Sequence, residues 1–186
     1  MPYPTADNSY EIFRDGGTTL EISTLVDLVL VVRSFRGRLD ERLRAINQSA
    51  ARMETLAAIV NIQGPVSQRD LARRLRVEGA TITRMIDLLS ADGLVERSAH
   101  PTDRRVNLLR VTEAGDAALR KIFRVYDMFR ADLLKGISQE EIGELHRVSG
   151  LMLGRLDAMG GNEIRIEGPQ TVDRLRDPTA GGTGPD

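Results

Sequence analysis

The sequence contains no cysteine and no tryptophan in 186 residues. Without a thiol the chain can form no disulfide, hold no metal through thiolates and run no thiol redox switch. Long apolar runs are missing too: the stretch Leu25–Val32 is broken by Asp27 and falls far short of the ~20 residues that span a bilayer. The opening segment, MPYPTADNSYEIFRDGG, lacks the basic start and apolar centre of an export signal, so a cytoplasmic protein that stays off the membrane is expected. Catalytic signatures are also lacking. There is no Gly-x-Ser-x-Gly, no His-Glu-x-x-His and no glycine-rich phosphate loop, and the two histidines, His100 and His146, fall in unrelated segments. No enzyme activity, catalytic residue, metal site or cofactor is therefore expected. The 26 basic and 27 acidic residues leave a net charge of -1, so attraction for a polyanion must be local. Such a cluster exists in the central third: Arg69, Arg73, Arg74, Arg76, Arg84, Arg104 and Arg105.

What is present is apolar periodicity. A hydrophobic content of 41% suits one compact core. Leu25, Leu28, Val29, Val32, Phe35, Leu39, Leu43 and Ile46 recur at three- and four-residue steps, predicting a long amphipathic helix that ends near Asn47. A second helix starts at about Ser49, turns Met53, Leu56, Ile59 and Val60 inward, and stops at Gly64-Pro65. Ser67 and Asp70 approximate a capping box for a third helix that buries Leu71, Ala72 and Leu75. A fourth runs from near Glu78 to Asp92-Gly93, with Ile82, Met85, Ile86 and Leu89 on its apolar face. Thr112 caps a long fifth helix carrying Leu119, Ile122, Val125, Tyr126, Phe129 and Leu133, ended by Gly136. Ser138 with Glu141 then opens a last helix with Ile142, Leu145, Val148, Met152 and Leu156. Residues 1–17 and 160–186 read as flexible tails, the second with a short alternating stretch, Glu163–Glu167, that can form a strand.

Between the fourth and fifth helices lies GLVERSAHPTDRRVNLLRVTEAG, Gly93 to Gly115. It has the pattern of a short β-hairpin with an Asp-Arg-Arg tip, entered from one helix and leaving straight into another, the plan of a winged helix-turn-helix. The stretch VSQRDLARRLRVEGATITRMIDLLSADGLVER, followed by PTDRRVNLLRVTEAG with its Asp-x-Arg and Val-Thr-x-x-Gly, resembles the MarR family of bacterial transcriptional regulators. The resemblance implies a mainly α fold with a small β-hairpin wing. A winged helix-turn-helix at about 49–112 would be flanked by dimerisation helices at about 18–47 and 112–159, all within one domain spanning 18–159.

The apolar face of the fourth helix leaves Ala80, Thr81 and Arg84 outward, with Thr83 at the margin. Arginine can bond guanine bidentately and threonine can offer a hydroxyl or a methyl to base edges. Gly79 lets backbone amides approach a phosphate closely. Thr83 can equally bond back to its own helix. In the preceding helix Gln68 can bond phosphate from the first turn and Arg73 points away from Leu71 and Leu75, although solvation alone also accounts for arginines in this stretch. At the tip, the resemblance implies that Arg105 enters a minor groove, that Asp103 steadies its guanidinium and that Arg104 meets a phosphate. Ordinary turn chemistry explains the same residues without DNA.

The expected partners are double-stranded DNA carrying a palindromic operator and a second copy of the chain, because three long apolar-striped helices exceed what a small winged module can cover. The resemblance further implies a small aromatic or anionic effector, with Arg33, Arg36 and His146 as conceivable pocket residues. Solvated faces or dimer ion pairs explain those three as well, and a regulator controlled only by its abundance fits equally. The missing tryptophan departs from the urate-responsive branch of the family, so the ligand is left open. A repressor is the expected mode, since the family mostly occludes promoters. The competing reading is a winged-helix scaffold that binds protein rather than DNA; Arg84 and the Asp-Arg-Arg tip speak against it.

Overall fold

A computed structural model of the chain describes residues 6–102 and 106–159, which fall into two compact units divided between Ser138 and Gln139. In chain order the first unit holds α1 (Ala6–Arg14), α2 (Leu20–Arg44), α3 (Ala50–Asn61), β1 (Val66–Ser67), α4 (Gln68–Leu75) and α5 (Gly79–Ala91). It continues with β2 (Val95–Ala99), β3 (Asn107–Val111) and α6 (Glu113–Leu133). The second unit contains α7 (Gln139–Met159). Among the described residues no helix is long and apolar enough to cross a membrane.

Side-chain caps set most helix starts. Thr19, Ser49, Ser67 and Thr112 each stand in extended backbone and accept a hydrogen bond from the amide three residues on, which satisfies one of the donors a helix start leaves open. The join between α2 and α3 has neither glycine nor proline; it turns at Asn47, whose φ is 54°, a conformation asparagine tolerates better than most residues. Asp40 then accepts from the Ala50 amide at 2.6 Å, tying the start of α3 to α2.

The sheet has three antiparallel strands in the order β1-β3-β2. The expected hairpin pairs from Val95↔Val111 to Ala99↔Asn107. The third strand, β1, adds Val66↔Leu109 and was not foreseen. Below it the core gathers Leu39, Leu43, Leu56, Leu71, Ile82, Ile86, Leu89 and Ile122, all fully buried. The rings of Phe35 and Phe129, 5.3 Å apart, and Arg42 stacked 4.8 Å over Phe129 and paired with Asp132 at 3.1 Å, join α2 to α6.

Several expectations are corrected. The segment 1–17, expected as a loose tail, contains α1, and its Tyr10 and Phe13 are exposed. Nine residues are too few to show a periodicity. Val60, assigned to the inward face of α3, is 55% exposed; it lines a cleft of about 420 Å³ with Pro65, Ser98 and Leu108. The long striped helices, by contrast, do exceed what the winged module covers, as expected: on α2 Leu25, Val29 and Val32 are each about half exposed, whereas Leu39 and Leu43 are sealed. Leu133 of α6 and Leu145, Val148 and Leu156 of α7 are exposed as well. The possible strand at 163–167 lies outside the described residues, as does the rest of the segment 160–186.

Candidate nucleic-acid interface

Two short helices build the candidate surface. At the start of α4, Ser67 accepts from the Asp70 amide at 3.2 Å while the Asp70 carboxylate accepts from the Ser67 amide and, at 2.6 Å, from its hydroxyl, completing the expected capping box. The helix ends on Arg76 in left-handed backbone, which swings the chain into α5. There the pattern changes. Glu78 occupies the N-cap of α5 and makes no side-chain capping bond, unlike Thr19, Ser49, Ser67 and Thr112. The Thr81 amide turns back onto the Glu78 carbonyl at 3.0 Å; the amides ahead of it, on Gly79 and Ala80, have no acceptor within the helix. A side chain added at Gly79 would meet nothing within 4 Å, so the amino end of α5 is open to solvent.

The outward face of α5 matches its sequence pattern. Ile82, Ile86 and Leu89 are buried and Met85 is partly so, while Gly79, Ala80, Thr81, Thr83 and Arg84 are exposed. Thr83 donates its hydroxyl to the Gly79 carbonyl at 3.0 Å, the back-bonded alternative, leaving its methyl outward. Arg84 has no carboxylate partner among the described residues. On α4, Gln68 is half-buried at the first helical position; Arg73 is exposed and 3.5 Å from Asp70. Asp103, Arg104 and Arg105 lie outside the described residues. Just before them, the His100 ring nitrogen Nδ1 accepts from the Thr102 amide at 3.3 Å and the His100 amide bonds the Val106 carbonyl at 3.0 Å, so the hairpin is closed up to its tip.

Behind this surface the wing is locked to α6. Thr112 accepts from the Gly115 amide at 3.0 Å, donates its hydroxyl to the Gly93 carbonyl at 2.7 Å, and gives its own amide to the Leu94 carbonyl at 3.0 Å. Gly93 has a φ of 71°, which favours glycine. Two long-range ion pairs hold α5: Arg52 of α3 reaches Asp92 at 2.5 Å, and Arg97 of β2 reaches Asp87. Neither pair was identified from sequence. The available signal was an arginine at position 97, where alternation from the buried Val95 points a side chain toward the helix side of the sheet. Of the conceivable effector residues, Arg33 is exposed and Arg36 is engaged by Glu54 at 3.1 Å, while His146 is an exposed residue of α7 in the second unit.

The MarR family model matches residues 49–106. The transcriptional regulator PA3341 is 32% identical and superposes with a TM-score of 0.65 over 74% of this chain and 98% of its own. A cysteine-to-serine variant of MarR from E. coli, solved in complex with operator DNA, is 26% identical, with a TM-score of 0.65 over 73% of this chain and 99% of that one. BldR from Sulfolobus solfataricus gives 25% identity and a TM-score of 0.66, with 73% and 95% covered. The likeness extends over nearly the whole length of these regulators, and the chain belongs to the MarR family of winged-helix transcriptional regulators.

Proposed function

We propose that the chain is a homodimeric, sequence-specific DNA-binding regulator that represses by occluding a promoter and is released by a small-molecule effector. The observation that carries this reading is the open amino end of α5: an uncapped helix start at Glu78 and Gly79, with exposed Thr81 and Arg84, the latter unpaired among the described residues, on the next turn. Unsatisfied amides and the positive end of the helix dipole suit a phosphate oxygen, and they place Thr81 and Arg84 against base edges in the major groove. Arg105, with Asp103 beside it, takes the neighbouring minor groove, Arg104 a phosphate, and Gln68 and Arg73 the flanking backbone. The operator DNA bound by the E. coli relative supports DNA as the partner.

The second copy is supported by exposed apolar residues on α2 and α7, among them Leu25, Val29, Leu151 and Leu156. Burial against a twin removes that surface from water and sets two α5 helices to read half-sites about one DNA turn apart. An aromatic or anionic effector would act by altering that spacing. If it binds through Arg36, its carboxylate must displace Glu54. A cytoplasmic location goes with this role.

The test is fluorescence anisotropy of the full chain on the promoter fragment beside its own gene and on a scrambled fragment at ~150 mM salt, with light scattering for mass. A dimer that prefers the promoter fragment by about 10³ or more is the expected result. A monomer, or equal affinity for both fragments, would remove this reading and leave the protein-binding scaffold in its place.

A further inference from the structure

We propose that the Arg97–Asp87 ion pair is a positioning brace that holds the wing and α5 in one fixed relation, so that both meet the same duplex at once; this rests on the DNA-binding reading above. The two elements are joined covalently only through the turn at Asp92–Leu94, which pivots at Gly93 with a φ of 71°. One turn cannot by itself fix the angle between a helix and a strand. Arg97 supplies a second attachment. It follows Val95, 3% exposed, on the helix side of the sheet, and pairs in register with Leu109, 5% exposed, so a charge stands where apolar residues are the rule. Its side chain is 32% exposed, and its guanidinium is met there by Asp87, which lies three residues beyond Arg84 on α5. The neighbouring strand residue faces the other way: Glu96 meets Arg110 of β3 across the sheet at 2.5 Å, a pair within the hairpin that does not reach α5. The carboxyl end of α5 is held separately by Arg52 on Asp92. Asp87 and Arg97 thus close a second link between the helix proposed to read bases and the hairpin proposed to enter the minor groove. Tethered contacts held in register bind more tightly than the same contacts free to swing.

The experiment measures full-length Asp87→Asn, Arg97→Gln and the reversed pair Asp87→Arg with Arg97→Asp. Each is titrated on the promoter and scrambled fragments across salt, with a thermal melt. Plain charge accounting has Asp87→Asn tightening binding, since it removes a negative charge beside DNA. The brace has both single variants weakening promoter binding about tenfold, with an unchanged salt slope, scrambled-DNA binding within about twofold, and most of the loss recovered in the reversed pair. Asp87→Asn binding as well as or better than the parent would overturn it. So would an Arg97→Gln slope reduced by about one counterion, because Arg97 would then be a phosphate contact. If Arg97→Gln unfolds, Asp87→Asn and the reversed pair still decide. A parent protein with no fragment preference removes the DNA-binding reading and the brace together, whereas a selective parent with unaffected variants removes the brace alone.

Discussion

Replacing Gly115 with alanine is the sharpest test of how the wing is joined to α6. Alanine is the better helix former by ~1 kcal/mol, so helix propensity alone predicts a more stable protein. Packing predicts the opposite. A Cβ at this position would stand 2.1 Å from the Leu94 carbonyl oxygen and 2.7 Å from Cγ1 of Val111. The first of these is backbone and cannot rotate away. Reaching an ordinary contact of 3.4 Å requires the start of α6 and the α5–β2 turn to part by 3.4 - 2.1 = 1.3 Å. That movement would open the bonds from the Thr112 amide to Leu94 at 3.0 Å and from the Thr112 hydroxyl to Gly93 at 2.7 Å. Overpacking costs roughly 1–3 kcal/mol and each lost hydrogen bond about 1 kcal/mol. Against the propensity gain, the net loss is about 2–4 kcal/mol. At 2–4 °C per kcal/mol for a chain of this size, the melting temperature falls by roughly 4–16 °C. Differential scanning calorimetry at fixed protein concentration measures it, with Gly37→Ala as the control: Gly37 is also helical but has nothing within 4 Å. A Gly115→Ala protein that melts at or above the parent would refute the close approach.

Ser67→Ala removes the capping bond to Asp70 and should lower stability by ~1 kcal/mol, seen as a reduced urea midpoint with an unchanged m-value. Arg84→Ala should cost about 1–3 kcal/mol on the promoter fragment and relax base preference, whereas Arg105→Ala should flatten the salt slope by about one counterion; titrations across salt separate the two, and an unaltered slope would take the wing out of the mechanism. The Glu21 carboxyl is held below its ordinary 4.5 by its own backbone amide and by Thr19. Because the folded value is the lower one, this contribution is complete above pH 4.5 and fades as pH falls through the lowered value. Amide exchange at Ile22 and Ser23 should therefore show an acid-induced loss of protection that Glu21→Gln abolishes.

The features legible in the sequence are those governed by neighbours in the chain. Ser67 with Asp70 and Thr112 with Gly115 are caps written within four residues, and both form as expected. The division of α5 into buried Ile82, Ile86 and Leu89 and exposed Thr81 and Arg84 follows from a 3.6-residue period alone. What escaped depends on distant partners. The strand β1 is only two residues long and exists because β3 offers Leu108 and Leu109 to pair with it. Arg97 finds Asp87 ten residues away and Arg52 finds Asp92 forty away; no local pattern marks either. Val60 has the right spacing for the core, yet α3 turns it toward the cleft beside the sheet. The uncapped start of α5 was legible in principle, since glutamate is not among the residues that cap well.

The near-zero net charge and the proposed contact with a polyanion are reconciled by how the arginines are distributed. Arg36, Arg42, Arg52, Arg97 and Arg110 each have a carboxylate within ion-pair distance, so part of the positive charge in the scaffold is locally neutralised. Such pairs contribute modestly to stability where they are exposed, but they also remove charge that would attract DNA of any sequence. Arg84, on the outward face of α5, has no such partner among the described residues. A protein charged in this way gains little from indiscriminate phosphate attraction and must draw its affinity from a few placed contacts. Selectivity is then set by geometry rather than by total charge, and anything that changes the angle between α5 and the wing should alter promoter binding far more than binding to scrambled DNA.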